Sequence, residues 1–186
     1  MSNPWDSFPI PIRGDDHVHV TYEWVGRAIS QWEHVEYQLS RLYSVLEGHP
    51  DEERALREYG SAGRIFRDRL GGLRASAEKW FVRSPNQELE KELELLCVEV
   101  EGFSNRRNEV AHSVVFPTDF LPFFTDGKIA PGVRRWAVIP PFFTQRKHDS
   151  TTSYPVYAYT SRELRELQKR LQSLARRIDS FRKRFM

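Results

Sequence analysis

Arg106-Arg107-Asn108-Glu109-Val110-Ala111-His112-Ser113 is the stretch on which the fold turns. It closes a run whose apolar residues Leu89, Leu93, Leu96, Val100 and Phe103 continue through Val110, Ala111 and Val114. At about 100° per residue these side chains form one stripe, so the spacing predicts a long amphipathic helix. Arg107 falls near the centre of the stripe, and Arg106 on the opposite, solvent-facing side. A guanidinium facing the core is costly unless a carboxylate, a phosphate or a row of carbonyls meets it. Asn108 stands about one turn before His112, at the edge of the same face. Arginine, amide and imidazole therefore converge where the helix ends.

Upstream, Ser84-Pro85-Asn86-Gln87 supplies a helix start, with Ser84 as N-cap, proline at the first helical position and Gln87 at the third. Further back, Tyr22 to Glu47 carries a second stripe of Val25, Ala28, Ile29, Trp32, Val35, Leu39, Leu42, Tyr43 and Leu46, stopped by Gly48 and Pro50. Glu36 lies inside that stripe and Glu33 at its edge. A carboxylate buried on one helix and a guanidinium buried on another are natural partners, so Glu36 is expected to meet Arg107, with Glu33 as the fallback. Such a contact serves either as a structural ion pair or as a brace holding the arginine in its rotamer. Between the two stripes, Asp51-Glu52-Glu53 places negative charge on a helix's first turn, and the run from Ile65 to Phe81 resumes helical spacing around Gly71-Gly72.

Residues 115–159 change character. They hold prolines 117, 122, 131, 140, 141 and 155 among many aromatics, without helical periodicity. Arg134–Ile139 and Tyr154–Thr160 are β-prone and are expected to pair as a long-looped hairpin, with a separate turn at Asp126-Gly127. Arg134, Arg135, Arg146, Lys147 and His148 among aromatics suit either a Pro-rich flap or a platform for single-stranded RNA. Thr160-Ser161-Arg162-Glu163 then forms a capping box opening a last helix, whose Leu164, Leu167, Leu171, Leu174, Ile178 and Phe181 make a core face or a partner seam.

The remaining features set bounds. A chain of 186 residues predicts an extended segment over 1–20 and one domain over 21–186, the insertion lying at 116–159. A net charge of +2 is too small to argue nucleic-acid binding from the total. Its distribution is uneven: Glu88, Glu90, Glu92, Glu94, Glu99 and Glu101 make one helix acidic, while Arg162, Arg165, Lys169, Arg170, Arg176, Arg177, Arg182, Lys183 and Arg184 make the last one basic. The two either pair with each other or leave the basic one for a polyanion. Cys97 stands alone on an apolar face, as a core thiol in a reducing compartment. His17 and His19 have no other ligand cluster beside them, so no metal and no cofactor is expected. No apolar run reaches the roughly 20 residues of a membrane span, and the N-terminus carries no basic and apolar leader, so a cytoplasmic protein is expected.

Arg107-Asn108-x-x-Ala111-His112 resembles the Arg-x4-His signature of HEPN domains, including the polar residue that follows the arginine. The resemblance covers the helices of Tyr22–Val115 and, more loosely, the last helix. It implies an all-α bundle of four to five helices carrying an insertion with a β-hairpin before the C-terminal helix. It also implies a metal-independent endoribonuclease, of the kind that serves as toxin or phage-defence effector. Arg107, Asn108 and His112 would be its catalytic residues, Glu36 and Glu33 would hold them in place, and Arg106, Arg134 and Arg135 would bind substrate. Cleavage by a 2′-OH needs a proton acceptor, a proton donor and a cation for the phosphorane-like transition state. Histidine titrates near neutrality and arginine matches phosphate with two parallel donors. The single motif histidine of each chain offers one proton relay, so a homodimer sharing a cleft is implied, with RNA as partner, an antitoxin protein as a possible one, and neither DNA nor membrane. The alternative is a non-catalytic module that binds RNA, a nucleotide or a protein.

Overall fold

A computed structural model describes residues 3–49, 51–63, 65–118, 134–141 and 155–185. Among these residues five helices dominate: α1 (Val18–Glu47), α2 (Glu52–Ser61), α3 (Phe66–Arg83), α4 (Gln87–Ala111) and α5 (Ser161–Arg182), with a 3-10 turn over Lys183–Phe185. Two short strands, β1 (Val114–Pro117) and β2 (Trp136–Ile139), form the sheet. The all-helical class expected from periodicity therefore holds in its coarse form. The residues gather into two compact units, one of 1–30 and 105–170, the other of 31–104 and 171–186.

The second unit is helical. Trp32, Val35, Leu39, Leu42 and Leu46 of α1 are buried, as are Leu70 and Leu73 of α3, Leu93, Val100 and Phe103 of α4, and Leu174, Ile178 and Phe181 of α5. Each buried side chain of this size contributes roughly 1.5–3 kcal/mol relative to exposure. Cys97 belongs to this core, and burial pushes its thiol up to about 12. Gly48 takes φ +66° just past α1, the left-handed conformation that ends a helix without a Cβ penalty. Asp51 caps α2, its side chain accepting from the Arg54 N–H. The start of α4 differs from expectation. Asn86 is the residue whose Oδ1 accepts from Leu89 N–H at 3.0 Å, while Ser84 closes α3 through its own N–H on the Trp80 carbonyl. An amide at that position reaches the third helical N–H as well as a hydroxyl would.

The first unit combines the start of α1, the end of α4, the sheet and the start of α5. Helix α1 begins at Val18 rather than near Tyr22, so His19 is helical, and its ring stacks on that of His17 at 5.4 Å. The ladder of the sheet differs from the expected hairpin. Strand β2 pairs antiparallel with β1, Val114 opposite Ile139 and Pro117 opposite Trp136, and among the described residues the later segment reaches β2 through an antiparallel bridge from Tyr159 to Val138. The reason is local: β1 leaves α4 directly, and its apolar residues meet the buried Ala137, Val138 and Ile139. The turn expected at Asp126-Gly127 and the cations Arg146, Lys147 and His148 lie outside the described residues.

The N-terminal segment joins the same sheet. Asp15 and Trp136 exchange backbone hydrogen bonds at 2.7 and 2.9 Å. Next to it a Cβ on Gly14 would stand 2.8 Å from Thr118 Oγ1 and 2.9 Å from the Trp136 backbone, so only glycine permits the approach. The Asp15 carboxylate then accepts from Ser161 N–H, Ser161 Oγ and Thr21 Oγ1 at 2.8, 2.6 and 2.7 Å. The capping box of α5 forms as read, with the Thr160 N–H on Glu163 Oε2 at 2.9 Å. Asp15 adds a second carboxylate to that helix start.

Candidate functional site

The last turn of α4 carries the Arg-x4-His residues, and buried groups hold it in place. Glu109 is at the centre. Its carboxylate pairs with Arg106 at 3.0 Å and accepts from the Tyr159 hydroxyl. Its backbone carbonyl, an end the helix cannot satisfy internally, accepts from Ser113 Oγ and from Tyr157 Oη at 3.3 Å. Burial, then the Glu109 charge, holds the Tyr159 hydroxyl well above the ordinary tyrosine range, so it remains a donor at neutral pH. The helix end is thus clamped by the segment that precedes α5.

On this clamp the three motif residues differ in setting. Arg107 is half-buried and donates from Nη1 to Asn108 Oδ1 at 2.9 Å. Asn108 and His112 are exposed, and the His112 N–H still follows the helix, bonding the Asn108 carbonyl at 3.0 Å. An accessible imidazole therefore stands one turn beyond an amide that already orients a guanidinium. A phosphate arriving there would find two charge-assisted donors and a group able to move a proton.

Several expected roles are redrawn. Arg106 is not solvent-facing: its side chain is only 14% exposed, spent on Glu109 and on the Ser7 hydroxyl. The carboxylate of Glu36 is met by Arg69 of α3, with Nη2 to Oε2 at 2.6 Å and Nε to Oε2 at 2.8 Å, and it also accepts from the Trp32 indole at 2.9 Å. The stripe argument identified a carboxylate needing a cation, and Arg69, whose helix is interrupted in sequence by Gly71-Gly72, supplies one. Glu33 is exposed on α1. Arg135 pairs with Asp16 at 2.9 Å, and Arg134 is exposed. Glu109 went unremarked, although standing three residues after Arg106 on a helix announces their pairing.

The charge asymmetry between α4 and α5 resolves into two behaviours. In the second unit Arg177 pairs with Glu99 and Arg184 with Glu92, so this part of the basic helix answers the acidic one. In the first unit Arg162, Arg165 and Lys169 have no carboxylate within ion-pair distance among the described residues. Among the described residues, no three His, Cys, Asp or Glu side chains converge as a metal would require, and no helix is long and apolar enough to cross a membrane. No protein-family model, curated protein or solved structure matches the chain.

Proposed function

We propose that the chain is a metal-independent endoribonuclease of HEPN type, acting through Arg107, Asn108 and His112 at the end of α4. The observation that carries the reading is the exposed His112 one turn from Asn108, whose side chain receives the Arg107 guanidinium. In this reaction His112 takes the proton of a ribose 2′-OH as its oxygen attacks the adjacent phosphorus. Arg107, positioned by Asn108, neutralises the charge that grows on the non-bridging oxygens. The 5′-oxygen leaves with a proton supplied by a second imidazole, and the products are a 2′,3′-cyclic phosphate and a 5′-hydroxyl. A second copy of the chain brings that second imidazole, so the active form is a homodimer with both helix ends on one cleft. The alternative, a module that binds RNA without cutting it, shares the phosphate recognition but not the proton transfer.

The test is purified protein against several RNAs beside His112→Ala and Arg107→Lys. His112 is exposed, so its truncation should alter stability by no more than about 0.5 kcal/mol, yet lower cleavage at least a hundredfold, the lower range of a lost general acid–base. Arg107→Lys should keep the fold and lose most of the rate, because an ammonium lacks the two-donor geometry. EDTA should leave the rate unchanged. Light scattering should give a dimer, and wild type mixed with excess His112→Ala should lose activity beyond simple dilution, because a heterodimer carries one imidazole where the reaction needs two. Equal cleavage by wild type and His112→Ala refutes the enzyme, and RNA binding insensitive to both substitutions favours the binding module.

A further inference from the structure

An open groove of about 900 Å³ lies in the first unit between the N-terminal segment and the start of α5. Its two walls differ in chemistry. One is the extended run of Pro9, Ile10, Pro11 and Ile12, whose Ile12 is 75% exposed. The other is the face of α5 on which Arg162, Arg165 and Lys169 recur at the i, i+3, i+7 spacing of one stripe, all three exposed. They span about 10 Å of helix axis. The carboxylates nearby are already engaged: Glu163 by Thr160, Glu166 by Arg170 at 3.1 Å, and Asp16 by Arg13 at 2.9 Å. The N–H groups at the start of α5 are likewise taken, by Asp15 and Thr160. The helix end is therefore closed to an anion, and the positive charge left over resides in the three side chains along the groove.

The groove is also held in shape. Arg170 donates to the Pro4 carbonyl at 2.7 Å and lies over the Phe8 ring, and Arg106 holds Ser7, so the apolar wall is pinned on both sides of its start. Arg165 lies 4.7 Å above the Trp24 ring centroid, which steadies its guanidinium plane. A steadied guanidinium is a surface on which an unstacked base can lie.

We propose that this groove is a binding path for single-stranded RNA, with successive phosphates on Arg162, Arg165 and Lys169 and bases against Pro11, Ile12 and the Arg165 plane. It rests on the ribonuclease reading for its choice of ligand, and adds a second point of contact in the same unit, away from the reacting bond. Three lone cations beside an apolar wall suit a chain that carries charge on one edge and flat apolar rings on the other. An acidic peptide would use the cations but leave the wall without a flat partner.

The experiment measures binding of a fluorescent single-stranded RNA by anisotropy across a salt series, in the full-length His112→Ala background so that cutting cannot blur the reading. The triple variant Arg162→Ala/Arg165→Ala/Lys169→Ala should bind at least tenfold more weakly. Its slope of log affinity against log salt should be shallower by about 2, at roughly 0.7 per phosphate contact on a single strand. A charge-matched control, Arg67→Ala/Arg83→Ala/Lys91→Ala, removes three exposed cations of the other unit and should leave both values unchanged. Arg162→Gln/Lys169→Gln, which spares the Arg165–Trp24 contact, should show an intermediate loss. Equal loss in variant and control, no RNA binding by the parent, or equal competition by polyglutamate overturns the groove. Because the assay runs without cleavage, failure of the His112 chemistry leaves this result standing, and failure of the groove leaves that chemistry standing.

Discussion

The Glu36–Arg69 pair shows how little room one buried charge leaves. Their side chains are 12% and 16% exposed, and the guanidinium faces the carboxylate with two nitrogens. Truncating Glu36→Ala should leave a cation with no counter-charge in the interior and lower stability by roughly 3 kcal/mol, as read by urea denaturation. Pairing that change with Arg69→Met should recover most of the loss, since two apolar side chains need no partner. An unchanged midpoint for Glu36→Ala would mean that water replaces the carboxylate at no cost. Asp179 makes the opposite case at the surface. Hydrogen bonds from Lys183 first, and then Arg182, hold its carboxyl down to about 2. A carboxyl lowered in the folded state contributes its stability fully above its unfolded value near 4, and loses it as pH falls towards the folded value. Stability should therefore decline between about pH 4 and pH 2, and Asp179→Asn should flatten that decline in acid titrations followed by circular dichroism.

Elements were legible where one signal dominated. The stripes of α1, α4 and α5, the stop at Gly48 and the capping box at Thr160 follow from spacing and cap chemistry alone, and the buried leucines lie where the spacing put them. Pairing was not legible. The β-prone pattern matches strand β2 with Tyr154–Thr160 alone, whereas β1, the ladder partner that α4 delivers next to it, begins at Val114, which the helical stripe still includes, so its pairing is a matter of tertiary position that no local pattern encodes. The motif residues at the end of α4 were legible from their order, whereas their support was not: Glu109 meets Tyr157 and Tyr159 across 48 and 50 residues. Asp15 is another such residue. Asp15→Ala should remove the added cap of α5 and the Thr21 bond together, costing about 2 kcal/mol in thermal or urea unfolding. Asp15→Asn should recover part of that cost by keeping an acceptor without the charge. A loss no larger than that of an exposed surface substitution would show the contact to be incidental.

At the scale of the whole molecule, the same aspartate joins parts of the chain that are made at very different times. Its partners Ser161 Oγ and N–H lie 146 residues further on, and Trp136, which it meets through the backbone, also comes late. At about 5–20 residues per second, a ribosome takes on the order of ten seconds to cover that distance. Throughout that interval the start of α1, with the Pro-rich run before it, is outside the tunnel without the helix that will cap it. Helices α2 and α3 can meet α1 early, so the second unit has most of its helices long before the first unit can close. The groove wall and the clamp on α4 consequently form only once the chain has reached Tyr159 and the start of α5. A nuclease whose catalytic helix end is clamped by Tyr157 and Tyr159 would therefore spare the message that encodes it until the segment before α5 has emerged.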